Sequence, residues 1–336
     1  MSQRILVTGG AGYVGSHACK ALAGAGYLPI VYDNLSRGRR EAVRWGPLVE
    51  GDLEDRPRLS AALRAHRVSA VMHFAAFAYV NESVADPETY YRNNVGGSLA
   101  LLSTMREAGI GMMVFSSTCA VYGDPGRVPI PESAGELPVN PYGETKLAIE
   151  RALHWYGRSY DLRFVALRYF NAAGADADGE IGENHDPETH LIPLVVRAAL
   201  GQAGPIEIYG TDYPTADGTA VRDYVHVADL ADAHVRALGY LGAGGDSAVL
   251  NLGTGSGHSI REVVAAVERV GGLRVPRREA ARRPGDPPKL VADARLAAAT
   301  LGWGPRQSDL ETIVRTALAW HRRHPPSPET RPDRPR

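Results

Sequence analysis

Residues 7–15 read VTGGAGYVG, and the fold follows from how this stretch is taken. The apolar run RILV, residues 4–7, leads into glycines spaced G-x-x-G-x-x-G at Gly9, Gly12 and Gly15, and SHACKALAG, residues 16–24, continues with helical spacing of its apolar positions. A glycine turn between a strand and a helix permits positive φ and close approach of backbone to a phosphate. The helix start adds free N–H groups and a partial positive charge. The stretch therefore predicts a pyrophosphate cradle at the first crossover of a parallel sheet.

Outward from that turn, short apolar runs alternate with amphipathic ones. LPIVYDN (28–34), AVMHFAA (70–76), MMVFSST (112–118) and RFVALRYFN (163–171) have strand character, while GSLALLSTMREAG (97–109) has helical spacing. Strands alternating with helices imply right-handed crossovers and a parallel sheet covered on both faces. The expected fold is α/β: a Rossmann-type doubly wound parallel sheet over residues 1–175, with elements returning to it from about 222–255. After Asn171 come long polar segments, 172–190 and 209–224, of the kind that form binding loops. Helical spacing resumes at VADLADAHVRALGYL (227–241) and SIREVVAAVERVG (259–271), with VLNLGTG (249–255) as a strand between them. Residues 176–325 are thus expected to form a smaller mixed α/β lobe that binds substrate, and the Pro- and Arg-rich 326–336 a disordered tail.

Asp33 ends the second strand, where a carboxylate accepts hydrogen bonds from an adenosine ribose and repels a ribose phosphate; NAD is expected over NADP. Arg37 is close enough in sequence to blur that preference, but the favoured reading for it is a pyrophosphate contact or no contact at all. In NPYGETK, residues 140–146, Tyr142 and Lys146 fall on one helical face. Free tyrosine is a poor base, since its pKa is about 10. An ammonium at about 4 Å and an effective dielectric of about 20 is worth about 4 kcal/mol, or about 3 pKa units. This pair is expected to make Tyr142 a general base near neutral pH. A Ser/Thr cluster, FSSTCAVYG (115–123), lies upstream at the end of a predicted strand, where open parallel sheets bind ligands.

The glycine turn, FSSTCAVYG and Tyr142-x-x-x-Lys146 resemble the extended short-chain dehydrogenase/reductases. YDNLSRG, VMHFAA, YYRNNVGGS, LRYFNAAGA, YGTDYPTADGTAVRDYVHVADLADAH and NLGTGSG extend the resemblance to the UDP-hexose 4-epimerases among the NAD-dependent epimerases and dehydratases, over about 320 residues. The resemblance implies that Tyr142 is the catalytic base, Lys146 its electrostatic partner and Thr118 a hydrogen-bond partner of the sugar hydroxyl. For NAD it implies contacts from Gly9, Gly12, Tyr13, Val14, Gly15, Asp33, Asn34, Asp52, Leu53, Phe74, Ala75, Ala76, Asn93, Ser116, Tyr142, Lys146 and Tyr169. For a UDP-sugar it implies Thr118, Tyr142, Asn171, His190, Leu191, Tyr209, Arg222, Arg283, Asp286 and Leu290, the arginines being suited to a diphosphate by paired hydrogen bonds. The implied reaction is reversible 4-epimerisation of UDP-galactose and UDP-glucose through a 4-keto sugar. UDP-xylose/UDP-arabinose interconversion, or a broader UDP-sugar range, is the alternative, and an NAD-binding sensor without turnover a remote one.

Cys119 and Ala120 occupy the places beside Thr118 where dehydratases and decarboxylases of this superfamily carry carboxylates, which favours epimerisation. Ala78 stands where some epimerases have a basic residue, and Asn81 where Gly is commoner. Leu290, at the wall of the sugar pocket, is intermediate between the bulky residue that excludes N-acetyl sugars and the small one that admits them.

Composition limits the remaining classes. With 37 basic and 38 acidic residues the net charge is -1, so no global field draws nucleic acid or an anionic membrane. No apolar run reaches the roughly 20 residues of a membrane span, and the opening residues are too short an apolar run for a signal peptide. Two cysteines make no disulfide framework, so a cytoplasmic location is expected. His185, His190 and His226 match no metal-ligand spacing, and no metal is expected. A homodimer through GSLALLSTMREAG and YGETKLAIERALHWYGRSY is expected from the family's common four-helix pairing.

Overall fold

The computed structural model describes residues 2–283 and 286–325; the expected tail at 326–336 lies outside them. Strand β1 (Arg4–Thr8) leads through the glycine turn into helix α1 (Tyr13–Gly24), followed by β2 (Leu28–Asp33) and β3 (Leu48–Glu50). Helix α2 (Arg56–Ala65) starts where the Asp55 side chain accepts from Arg58 N and a proline enters the first turn; β4 (Ala70–His73) follows. Two short helices, α3 (Val80–Ala85) and α4 (Pro87–Tyr90), run through a π-turn at Tyr91–Gly96 into α5 (Gly97–Glu107). Then come β5 (Met112–Thr118), α6 (Pro141–Tyr160), β6 (Arg163–Tyr169) and β7 (Asn171–Ala173).

The second half carries α7 (Leu191–Ala199), β8 (Ile206–Tyr209), β9 (Val221–Arg222), β10 (Tyr224–His226), α8 (Val227–Gly242) and β11 (Ala248–Leu252). It closes with β12 (His258–Ser259), α9 (Ile260–Gly271), β13 (Arg277–Ala280), β14 (Lys289–Leu290), α10 (Arg295–Leu301) and α11 (Leu310–Arg323). Helix α9 is bounded by local chemistry at both ends, a Ser259–Glu262 capping box and Gly272 at φ 62°.

Seven strands form one parallel sheet in the order β11-β6-β5-β4-β1-β2-β3, doubly wound as the alternation of runs predicts. The chain reverses direction across the sheet between β1 and β4, which pair directly, so a crevice opens beyond their carboxyl ends. One face is covered by α1, α8 and α10 over Val7, Leu22, Val31 and Leu230; the other by α2, α5 and α6 over Leu6, Leu59, Phe115 and Leu153. Strands sealed on both sides explain the near-continuous apolar runs.

A separate core joins α7, α9 and α11 through Val195, Val263, Val267 and Ile313. Short strands flank it, β8 with β13 and β9 between β12 and β14, while β7 pairs with β10. Helix α8 and strand β11, from the second half of the chain, belong to the large sheet. Among the described residues no helix is long and apolar enough to cross a membrane. The spacing of apolar residues had not revealed β3, α2 or the π-turn: β3 is three residues, and α2 carries arginines at 56, 58 and 64 that dilute its apolar face.

Candidate active site

A cavity of about 810 Å³ runs from the glycine turn to β14, across the carboxyl ends of β1, β2, β4, β5 and β6. At one end the backbone is packed tightly. Gly9 has φ 71°, and a Cβ there would lie 2.6 Å from Ala75 N; a Cβ on Gly15 would lie 2.2 Å from Gly9 O. Only glycine fits either position. Helix α1 begins at Gly12 with no side-chain cap and no acidic residue in its first turn, so its leading N–H groups and dipole face the cavity unopposed. That cradle suits a pyrophosphate. Asp33 is buried at the end of β2, where its carboxylate accepts from Ala11 N and Leu35 N and still borders the cavity. Asn34 donates to the Asp52 carboxylate at 2.8 Å, linking two of the expected ribose-side residues.

In the middle, α6 begins at the cavity wall. Asn140 caps it by accepting from Gly143 N at 2.9 Å, and Pro141 enters the first turn, so Tyr142 stands at the helix N-terminus. Gly143 matters here, because a Cβ would lie 2.6 Å from Ala120 O; its absence lets α6 approach the Thr118–Tyr122 turn. The Ser83 hydroxyl oxygen supports this start by accepting from Tyr142 N–H at 3.2 Å. Lys146, one turn on, is buried and donates to Ser116 O at 2.9 Å, with its ammonium 6.0 Å from the centre of the Tyr142 ring.

Protein groups do not by themselves lower the Tyr142 pKa. Burial pushes it well above its ordinary value, Tyr169 adds to the rise, and the Thr118 hydroxyl pulls the other way through a hydrogen bond. Burial also brings Lys146 down to about 7, with Glu150 opposing. Lys146, its own charged form disfavoured by burial, is thus a weaker electrostatic partner than the spacing alone predicts. Further positive charge must reach the phenol for it to act as a base at neutral pH. Cys119 is partly exposed where it borders the cavity, and desolvation pushes its thiol up to about 12, which disfavours the thiolate a nucleophile needs.

At the far end Asn171, His190, Leu191, Arg222, Arg283, Asp286 and Leu290 line the cavity, with Arg222 ion-paired to Asp286. Tyr209 departs from its expected place at the wall. Arg283, which does border the cavity, rests its guanidinium 3.9 Å from the Tyr209 ring centre. Lys146 likewise does not line the cavity, acting from beneath Ser116 and Tyr142. The other expected contacts, including Tyr13, Val14, Leu53, Phe74, Ala76, Asn93 and Tyr169, all border it.

One residue behind the cavity wall carried no readable signal. Asn94, in the π-turn, is buried and holds Phe77 through its N–H and C=O while donating to Thr145 Oγ1 at 3.1 Å; it ties the cavity wall to α6. His185 and His190 both point Nδ1 at the same Glu183 oxygen, at 3.0 and 2.5 Å, with Glu188 beside them. Burial alone would lower His185, but Glu183 and Glu188 outweigh it and push it up to about 10. The 2.5 Å contact is a hydrogen bond between His190 and Glu183, and that carboxylate raises the His190 pKa against burial.

The family model described as the NAD dependent epimerase/dehydratase family matches residues 5–253. The chain belongs to this family. It is 54% identical over 319 residues to the UDP-glucose 4-epimerase of Rhizobium leguminosarum bv. trifolii, covering 95% of this chain and 97% of that one. The crystal structure of UDP-glucose 4-epimerase from Brucella ovis in complex with NAD superposes with TM-score 0.93 at 55% identity, over 95% and 98% of the two chains. A UDP-glucose-4-epimerase from Stenotrophomonas maltophila with bound NAD and formylated UDP-arabinopyranose does so with TM-score 0.93 at 42% identity, over 96% and 98%. The fold is therefore shared over nearly the whole length of these relatives.

Proposed function

We propose that this chain is an NAD-dependent UDP-glucose 4-epimerase that interconverts UDP-galactose and UDP-glucose through a 4-keto sugar. The observation that carries this is the meeting of Tyr142 and Thr118 midway along one cavity, between a glycine cradle at one end and Arg222, Arg283 and Asp286 at the other. The large-sheet lobe, residues 1–175 with the returning 222–255, holds the dinucleotide and the 176–325 lobe the UDP-sugar. NAD, when bound, accepts the hydride from sugar carbon 4 and returns it, and its oxidised ring supplies the positive charge that the Tyr142 phenol otherwise lacks.

In this reading the uncapped start of α1 holds the dinucleotide pyrophosphate, and Asp33 takes the adenosine ribose. Thr118 orients the sugar 4-hydroxyl and Tyr142 takes its proton at the phenolic oxygen. Lys146 and the N-terminus of α6 stabilise the phenolate. Arg222 and Arg283 anchor the diphosphate while the ketone turns to present its other face, after which Tyr142 returns the proton. Cys119 and Ala120 offer no acid beside Thr118, so neither dehydration nor decarboxylation has its proton donor there. Leu290 at the wall leaves a UDP-pentose or broader UDP-sugar range as the second reading. We further propose that the protein acts in the cytoplasm as a homodimer; exposed Leu99, Trp155 and Tyr160 on α5 and α6 support the pairing.

The test is purified protein supplied with UDP-galactose, UDP-glucose, UDP-xylose and UDP-N-acetylglucosamine, with products separated chromatographically. Interconversion of the UDP-hexoses without added reductant is expected. Tyr142→Phe should cut turnover by about 100-fold or more while NAD stays bound. Unchanged UDP-sugars with NAD still bound would instead support a sensor.

A further inference from the structure

Arg37 leaves β2 just after Asp33, and the cavity borders both residues. The backbone at Gly38 passes so near Asp33 that a Cβ there would lie 3.0 Å from its Oδ1. A guanidinium beside the ribose carboxylate is the usual means of accepting a 2′-phosphate, so Arg37 left free would draw NADP toward this end. It is not free. Its guanidinium pairs with Glu82 of α3 at 2.5 Å and stacks 5.3 and 5.1 Å from the ring centres of Phe77 and Tyr79. Glu82 is itself fixed, since Tyr90 donates its hydroxyl to the other carboxylate oxygen at 2.9 Å, and that hydroxyl also meets the Tyr79 backbone.

From this geometry, and resting on the NAD reading above, we propose that Glu82 is a specificity-determining positioning residue: it holds Arg37 against Phe77 and Tyr79 and so denies a 2′-phosphate its cation. An isolated ion pair this exposed would hold little, about 0–1 kcal/mol. Here the two aromatic rings and the Tyr90 hydroxyl give Arg37 a single seat, and leaving it would strip a fixed carboxylate of its partner. Asp33 repels the phosphate directly; Glu82 removes the group that would compensate for that repulsion. The preference for NAD thus rests on two carboxylates, Asp33 at the end of β2 and Glu82 of α3.

The experiment is a competition. Protein is incubated with equimolar NAD and NADP, desalted, and the retained nucleotides are quantified. Wild type should retain NAD, Glu82→Gln should raise the retained NADP:NAD ratio by about tenfold, and Glu82→Gln with Arg37→Met should return it to the wild-type value. Glu82→Asp keeps the charge but not the reach, and should move the ratio the same way if Glu82→Gln does not fold. A Glu82→Gln ratio within about threefold of wild type overturns the proposal, as does a shift that survives without Arg37. Wild type retaining neither nucleotide would overturn the cofactor reading, and this proposal with it.

Discussion

Lys146 sits enclosed, its ammonium spent on the Ser116 carbonyl, at a cost that the fold bears throughout. Its ordinary pKa of 10.5 falls to about 7, burial being the cause. Between those two pH values the unfolded chain binds the extra proton, so this residue's contribution makes stability rise with pH from about 7 to 10.5; below 7 its penalty is complete. Lys146→Met should therefore stabilise the protein at pH 6–7, by at most about 5 kcal/mol before the lost Ser116 hydrogen bond is counted, with the gain fading toward pH 10. The same variant should lose about 100-fold in turnover. Denaturant melts at pH 6, 8 and 10 beside the epimerase assay check both outcomes, and a variant that is less stable than wild type at pH 6 overturns this account of the lysine.

At the scale of the element, two glycines ask for opposite readouts. Gly143 is inside α6, where Ala would ordinarily gain about 1 kcal/mol, yet its Cβ would meet the Ala120 carbonyl at 2.6 Å. Backbone cannot yield as a side-chain tip does, so the helix start must shift and carry Tyr142 with it. Gly143→Ala should cost about 10- to 100-fold in kcat with NAD retention intact, read from steady-state kinetics and bound-nucleotide content. Gly15→Ala places a Cβ 2.2 Å from Gly9 O and should instead empty the glycine cradle; gel filtration with NAD and chromatography of the retained nucleotide would show the loss. Similar losses of NAD in both variants would mean that the two turns are not separable. In the sequence Gly143 reads as a neutral spacer in Y-x-x-x-K, because its function is defined by Ala120, 23 residues away in the chain.

For the whole molecule, the long outer face of α6 leaves Trp155 64% exposed and Tyr160 51%, with Leu99 of α5 beside that surface at 41%. Such side chains on one flank support the pairing of two copies. Light scattering should give twice the 36.0 kDa of the chain, and Trp155→Glu should shift the population toward monomer. A wild-type monomer at assay concentration would dismiss the pairing. Much of the architecture was legible in the amino acids alone. The parallel sheet, the glycine cradle, Asp33 and the Tyr142–Lys146 pair are written in local spacing, because strands sealed on both faces must be apolar and a phosphate turn must be glycine, whereas Thr118 was singled out from its Ser/Thr cluster by the family resemblance. Tertiary structure alone decided three things: that Arg283 stacks on Tyr209, that burial lowers the pKa of Lys146 and raises that of Tyr142, and that Glu82 captures Arg37. Each depends on desolvation or on a partner distant in the chain, and neither quantity exists until the chain is packed.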